Sequence, residues 1–455
     1  MKNGKRSSFS GKLGYVLAAA GASVGLGNIW RFPYLAAKYG GGIFLIIYIV
    51  LALTFGYTMI VAETAIGRMT RKSPVGAFKS FGKKKWLSFG GWINAVIPVL
   101  IVPYYSVIGG WVIKYLVEYF RGNAKLLAED GYFTDFISNG VSTELCFMAF
   151  CAFTLIIIFA GVQNGIERVS KIMMPILIVL SVIIAVYSVT RPGALAGVKY
   201  FLVPNVKNFS WMTVVSAMGQ MFYSLSIAMG ILITFGSYMK KDTAIEDSTR
   251  NVEVFDTGIA IMAGLMIIPA VFAFSGGDPN TLQAGPSLMF ITIPKVFQNM
   301  GFGTVIGIVF FLLVLFAAVT SSIALTESAV STFEDELGWG RKKATVLVGV
   351  IMLALGSLSS LGYGPLAGIK IIGMQFLDLF DFLTNSVMMP IAALLTSLFV
   401  SRVVGIDKIE AEIIHGESAF RRKKVFVVMI KYLCPVFAII ILLSSVANAL
   451  GWIKM

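Results

Sequence analysis

The stretch Gly21 to Pro33, GASVGLGNIWRFP, lies inside the first apolar segment of the chain, which runs from about Leu13 to Ala37 and is long enough to cross a bilayer. Three glycines, an asparagine and an arginine at its centre oppose a continuous helix, since each glycine costs about 1 kcal/mol relative to alanine. In lipid, a backbone group released from a helix costs several kcal/mol unless something answers it. Irregular backbone at membrane depth survives only where protein or a water-lined cavity covers it. Such a break offers carbonyls and amides to an ion or a polar solute.

The rest of the chain is built for the same solvent. Of 455 residues, 57% are hydrophobic and 13% charged, against about 25% charged in soluble domains. Apolar segments fall at roughly 13–37, 41–67, 88–120, 144–162, 168–190, 211–238, 252–275, 302–333, 343–361, 370–400 and 425–450. They are continuous, not alternating runs of about ten residues, which excludes a transmembrane β-barrel. The expectation is an all-α polytopic membrane protein with eleven transmembrane helices in one domain over 1–455. The net charge of +14 does not indicate a nucleic-acid partner, because 25 of the 37 Lys and Arg fall on one side, in the N-terminus and five loops. That side, which includes Lys2, Lys5 and Arg6, is expected to be cytoplasmic, which leaves the C-terminus outside. The apolar segment continues past the small residues of LGYVLAAAGA, which argues against a cleaved leader. Cys146, Cys151 and Cys434 lie in apolar segments and suggest buried small residues, not a disulfide framework.

A longer symmetry is visible. About 200 residues after the first break, GQMFYSLSIAMG (219–230) again puts polar residues and glycine in mid-span. Paired interrupted helices in two halves point to a transporter site. Five helices per half have opposite orientations, hence a 5+5 inverted repeat with discontinuous helices 1 and 6, a first repeat at about 10–190, a second at about 205–400 and an added helix 11 at about 425–450. Oxygen-bearing groups gather at membrane depth: Ser23 with Asn28, Ser224 with Ser226, Asp256, and Thr320, Ser321 and Ser322. An intramembrane carboxylate costs about 2.5–3.5 kcal/mol on the lenient scale, so Asp256 implies a partner. Carboxylate, hydroxyl and carbonyl oxygens suit a hard cation. There is no Cys/His cluster for zinc, no ATP-binding loop and no nucleophile–base pair, so ion coupling is favoured over ATP drive and an enzyme is not indicated. A channel, an ion-independent exchanger and a receptor-like sensor remain alternatives from the residues alone.

The motifs GASVGLGNIWRFP, GGGIF (40–44), AETAIGR (62–68), PYYS (103–106), GQMFYSLS (219–226), TSSIAL (320–325), FEDELG (333–338) and DLFDF (378–382) resemble, in order, those of the neurotransmitter:sodium symporter family. The chain is similar to the shorter, eleven-helix bacterial amino-acid branch. The resemblance implies two Na⁺ sites: Ser23, Asn28, Ser224 and Asp256 with the substrate carboxylate at the first, and Gly21, Val24, Ala317, Thr320 and Ser321 at the second. It implies a substrate carboxylate held by the amides of Leu26 and Gly27 and by Tyr105, where a half-helix dipole favours an anion. The substrate ammonium is expected to face carbonyls of Ser23 and Tyr223 and the hydroxyls of Ser224 and Ser226, with a side-chain pocket of Gly25, Ile101, Tyr105, Tyr223, Met229, Ser321 and Leu325.

Gly25, where monoamine carriers of the family have aspartate, implies an α-amino acid, and the adaptable Met229 implies a large apolar or aromatic side chain. Asp256 replaces the asparagine of many members, while Ala260 stands where the leucine transporter has glutamate, so chloride independence is expected. The implied gates are Arg31 and Asp381 outside, meeting through water above a Tyr105–Tyr223 lid, and Arg6 with Asp335, near Tyr238 and Glu327, inside. Glu63 and Gln220 resemble supports of the broken helices, and Gly165 and Pro175 an unwinding point in helix 5. Pro103, beside the tyrosine pair, is out of keeping with a regular helix 3. The resemblance implies a multi-pass protein of the bacterial inner membrane that imports a hydrophobic or aromatic L-amino acid with Na⁺ by alternating access.

Overall fold

A computed structural model describes residues 6–82, 84–276 and 285–449; Lys2, Lys5 and the loop residue Pro279 lie outside the described residues. The first pass, α1, consists of two helices, Lys12–Ser23 and Gly27–Lys38, bent by 54° about residues 24–26. The sixth, α6, is split more widely, into Trp211–Ser224 and Ile231–Tyr238. Among the described residues nine continuous helices are long and apolar enough to span a membrane: α2 (Gly42–Thr70), α3 (Lys85–Phe120), α4 (Gly140–Phe159), α5 (Val162–Val189), α7 (Ile245–Ser275), α8 (Gly303–Leu337), α9 (Arg341–Leu361), α10 (Phe376–Val404) and α11 (Lys423–Asn448). With the two broken helices they make eleven passes, and the broken ones stand first in each run of five, α1–α5 and α6–α10. This is the all-α arrangement expected from the sequence, with helices 1 and 6 discontinuous.

Local chemistry sets several boundaries that hydropathy misplaces. α4 begins at Gly140, earlier than hydropathy suggests, because the Asn139 side chain caps it by accepting from Ser142 N at 3.0 Å. α5 reaches back to Val162 through a π-helical turn, Val162–Glu167, which contains Gly165. α6 starts from a reciprocal cap in which Ser210 and Thr213 bond each other's backbone amides. Hydropathy starts α10 at about 370, but residues 371–374 form a tight bridge and the helix begins at Phe376. α3 is continuous although Pro98 and Pro103 lie inside it, so Pro103 does not break the helix that carries the tyrosine pair.

The broken helices sit at the centre. Residues from Gly14 to Trp30 of α1 are buried, and so is the whole second half of α6. α2 crosses that half-helix at backbone contact: a Cβ on Gly67 would meet Ile233 O at 2.0 Å, and one on Gly236 would meet Thr64 O at 2.4 Å. Such small-residue crossings let membrane helices gain van der Waals contact where no hydrophobic drive exists. Ile156 of α4, Val186 of α5, Val350 of α9 and Leu443 of α11 are exposed and apolar, as a lipid-facing sheath requires. Cys146, Cys151 and Cys434 are free thiols.

Candidate functional site

Four buried side chains from four helices meet where the two breaks face each other. Asn28 Nδ2, just past the α1 break, donates to Asp256 Oδ1 of α7 and to Ser224 Oγ, the last residue of the first half of α6, each at 2.8 Å. Ser224 Oγ lies 3.0 and 3.1 Å from the two Asp256 oxygens. Tyr48 of α2 points its hydroxyl at the same pair, 3.1 Å from Ser224 Oγ and from Asp256 Oδ2. A carboxylate excluded from water therefore keeps hydrogen bonds on both oxygens, as burial demands. Sequence reasoning missed Tyr48; its signal was a phenol within the apolar run GIFLIIYIVL, which needs a partner when buried.

Beside this cluster, Leu26 N donates to Tyr105 OH at 3.3 Å, and Gly27 lies against the Tyr223 ring, where a Cβ would come within 2.3 Å of Cδ1. Ser226 Oγ donates to Ala22 O at 2.8 Å, and Ser23 Oγ to Ala19 O at 3.1 Å, so hydroxyls meet several of the main-chain groups around the break. A cavity of about 30 Å³ is lined by Ser23, Gly25, Leu26, Gly27, Ile101, Tyr105, Tyr223, Ser226, Met229, Ser321 and Leu325 among others. Ser224 departs from expectation: its hydroxyl does not line this cavity and is bonded instead to Asp256, Asn28 and Tyr48.

A second group of oxygens gathers between α1 and α8. Ser321 Oγ of α8 stands 3.3 Å from each of the carbonyls of Gly21, Ala22 and Val24. Thr320 Oγ1 lies 3.2 Å from Ala317 O, and Gly21 packs so closely on Thr320 that a Cβ would meet its side chain at 3.1 Å. Apart from the Asn28 amide nitrogen, both groups offer oxygen atoms, the set that suits an alkali or alkaline-earth cation. No cluster of three His, Cys, Asp or Glu side chains occurs among the described residues.

The supports hold the breaks open. Glu63 Oε1 of α2 accepts from Ala228 N at 2.7 Å inside the α6 break, and Gln220 Nε2 donates to Gly27 O at 3.0 Å across to α1. Toward the Asp381 face lies a cavity of about 490 Å³ bordered by Arg31, Tyr104, Tyr223 and Asp381. Arg31 stacks over the Tyr223 ring at 5.1 Å, while Asp381 takes bonds from Asn385 at 2.6 Å and Tyr104 at 3.3 Å; among the described residues no direct ion pair joins Arg31 to Asp381. Tyr104 and Asn385 were not foreseen.

At the N-terminal face Arg6 joins the second half of α6 to α8. Arg6 Nη1 lies 2.5 Å from Asp335 Oδ1, its Nη2 reaches Ser237 and Ser331 at 2.9 and 2.8 Å, and the guanidinium covers Tyr238. Burial alone would lower the Arg6 pKa, but Tyr238, Asp335 and Glu327 outweigh it and hold the guanidinium above its ordinary value. Tyr238 OH donates to Glu327 at 2.7 Å, and Arg341, absent from the sequence reading, adds an ion pair to Glu327 at 2.6 Å. Gly165 lies in the π-helical turn of α5 and Pro175 within the helix beyond it.

The model of the Sodium:neurotransmitter symporter family matches residues 6–129 and 134–452. An uncharacterized sodium-dependent transporter of Bacillus subtilis, YhdH, is 34% identical over 450 residues, which are 98% of this chain and 99% of that one. An uncharacterized sodium-dependent transporter of Haemophilus influenzae is 32% identical over 460 residues, 97% of this chain and 99% of that one. The crystal structure of MhsT in complex with L-phenylalanine aligns with a TM-score of 0.86 at 35% identity, covering 97% of this chain and 100% of that chain.

Proposed function

This chain belongs to the Sodium:neurotransmitter symporter family, and from that premise we propose that it carries a hydrophobic or aromatic L-amino acid inward together with two sodium ions, and without chloride. It is a multi-pass, sodium-dependent membrane transporter, not an enzyme. The observation that carries the finer reading is the meeting of two broken helices at one apolar-walled cavity with oxygen groups on two sides. The likeness to MhsT, crystallised with L-phenylalanine, supports an amino-acid substrate.

In this reading Ser23, Asn28, Ser224 and Asp256 hold one sodium with the substrate carboxylate, and Gly21, Val24, Ala317, Thr320 and Ser321 hold the other. The amides of Leu26 and Gly27 and the Tyr105 hydroxyl orient the substrate carboxylate. Ser226 and the carbonyls of Ser23 and Tyr223 face its ammonium. Gly25 leaves room for the α-carbon, and Ile101, Met229 and Leu325 take the side chain. Asp256 supplies the negative charge that chloride supplies elsewhere in the family, and Ala260, buried and apolar, adds none. A carboxylate about 4 Å from Na⁺ interacts by about 4 kcal/mol at an effective dielectric of 20.

The repeats, at about 10–190 and 205–400, rock so that α1, α2, α6 and α7 move against the rest. Glu63 and Gln220 brace the breaks, Arg31 and Asp381 close the way in, and Arg6, Asp335, Tyr238 and Glu327 close the way out. Gly165 and Pro175 let α5 loosen beside the second sodium. The N-terminus lies in the cytoplasm of a bacterial cell and the C-terminus outside, as the excess of Lys and Arg on the N-terminal side supports. Two sodiums moving inward gain about 4.6 kcal/mol per 100 mV, enough for a substrate gradient of about three decades.

The test is a thermal-shift panel of the twenty amino acids in sodium and in potassium, followed by uptake into proteoliposomes. Stabilisation by phenylalanine, tryptophan or leucine in sodium alone is the expected result. Equal stabilisation in potassium overturns sodium coupling, and uptake that collapses when gluconate replaces chloride overturns chloride independence.

A further inference from the structure

The segment 405–424, which leads from α10 into the first residues of α11, carries a short amphipathic helix, Ile406–Ile414, and a set of buried charges that transport does not otherwise use. Arg68, in the last turn of α2, has a fully buried side chain. Its Nε donates to Glu412 Oε1 at 2.7 Å, Nη2 to Glu412 O, and Nη1 to the carbonyls of Thr243 and Lys241 in the loop between α6 and α7. Lys241 Nζ closes the set at 2.8 Å from each Glu412 carboxylate oxygen.

A second station joins the same segment to α7. Glu246 accepts from the amides of Arg421 and Arg422 at 2.8 and 2.9 Å, and from Tyr57 OH of α2 at 2.8 Å. Glu417 answers in the other direction and accepts from Glu246 N at 2.5 Å, in the first turn of α7. There a carboxylate also meets the positive end of the helix dipole. At a third station, Arg422 pairs with Glu253 of α7 at 3.3 Å and lies over the Tyr57 ring at 4.7 Å.

Every one of these links ends on α2, α7 or the loop between α6 and α7. Among the described residues no hydrogen bond or ion pair joins 405–424 to α3, α4, α8 or α9. A buried ion pair is poor evidence for stability, because an apolar pair of similar size often does as well. Three stations aimed at one set of helices call for a mechanical explanation.

We infer that the 405–424 segment is a clamp that fastens the N-terminal-face ends of α2, α6 and α7 into one moving unit, with Arg68 and Glu412 as positioning residues for transport. The inference rests on the alternating-access reading above, in which those helices move together. The clamp rides on the moving unit and keeps α2 and α7 from tilting independently when the Arg6–Asp335 pair opens.

The test uses the full chain in proteoliposomes, its three cysteines replaced by alanine. Spin labels at Asp407→Cys with Asp242→Cys report within the clamp, and labels at Asp407→Cys with Lys342→Cys report against α9. The first distance should be the same in sodium with L-phenylalanine and in potassium, while the second changes. The paired variant Arg68→Met/Glu412→Leu should keep sodium-dependent stabilisation by L-phenylalanine and a KM within about twofold, yet lower kcat about tenfold and broaden the first distance. Arg422→Gln, at a more exposed residue, should lower kcat in the same sense if the paired variant does not fold. A first distance that changes as much as the second, or clamp variants with wild-type kcat, overturns the clamp. A wild-type chain with neither uptake nor a change in the second distance overturns the transport reading instead, and the clamp's transport role with it.

Discussion

The break in α1 and the break in α6 face each other, but they are made differently. In α1 the helix is lost over residues 24–26 with no left-handed residue: Val24 has φ −73° and ψ 100°, and none of Gly21, Gly25 and Gly27 has a positive φ. In α6 the break spans residues 225–230, and Ser226, Ala228 and Gly230 have φ of 52°, 59° and 69°. The glycines of α1 thus serve space: a Cβ on Gly25 would meet Ser321 Oγ at 2.7 Å and Tyr105 OH at 3.0 Å. The α6 break is strained, since each non-glycine residue held in that region costs of order 1–3 kcal/mol and must be held by its surroundings. Glu63 on Ala228 N and Ser226 on Ala22 O are the holds. One break is relaxed and roomy; the other is bent into place by its neighbours.

Substitutions at five positions test that contrast. The largest effect is expected from Glu63→Ala, which leaves the buried Ala228 amide unanswered and costs about 1–3 kcal/mol of stability. Uptake should fall to background while Glu63→Gln, which keeps the acceptor, retains much of it; a fully active Glu63→Ala would mean that the α6 break holds itself. Next is Asp256→Asn, at the knot tying the two breaks through Asn28 and Ser224. Removing its charge should raise the sodium concentration for half-maximal uptake about tenfold to a hundredfold, given a gross attraction of about 4 kcal/mol offset in part by desolvation. Partial rescue by chloride is expected, and sodium titrations with chloride or gluconate read both effects.

Gly25→Ala comes third. Overpacking costs about 1–3 kcal/mol, so the substrate KM should rise about tenfold and most for the bulkiest side chains. An unchanged order of preference across amino acids would show that Gly25 does not set the space. The smallest effect is the most diagnostic. Ala228→Gly should raise thermal stability by about 1 kcal/mol, because glycine is free of the left-handed penalty. Val24→Gly should lower it by a similar amount, because the extended backbone there suits valine. Melting curves of the two variants that shift in the same direction would erase the distinction between the breaks.

The α1 break could be read from the chain because its signal is local: glycine, asparagine and arginine where lipid tolerates only helix. The α6 break was placed by its polarity, but its strain was invisible, since Ser226 and Ala228 are ordinary residues forced by partners elsewhere. Ser224 was expected to face the substrate ammonium from the family resemblance, which cannot say which way a hydroxyl turns at the end of a half-helix. Tyr48 and the Arg68–Glu412 pair escaped because their meaning lies in partners far along the chain, Glu412 being 344 residues from Arg68. The helices themselves were legible because the bilayer imposes length and apolarity on every pass.

The cavity between the breaks is small and walled by close-packed side chains, Ile101, Tyr105, Tyr223, Met229 and Leu325 among them. A side chain that outgrows this space must dilate those walls, and packed protein resists compression much as an organic crystal does. Affinity across a homologous series of side chains then reflects a contest between water escaped and elastic work done. It should rise with each added methylene, reach a crest and fall. The position of that crest measures the stiffness of the walls, so a ranking of amino acids by affinity doubles as a mechanical measurement of the protein.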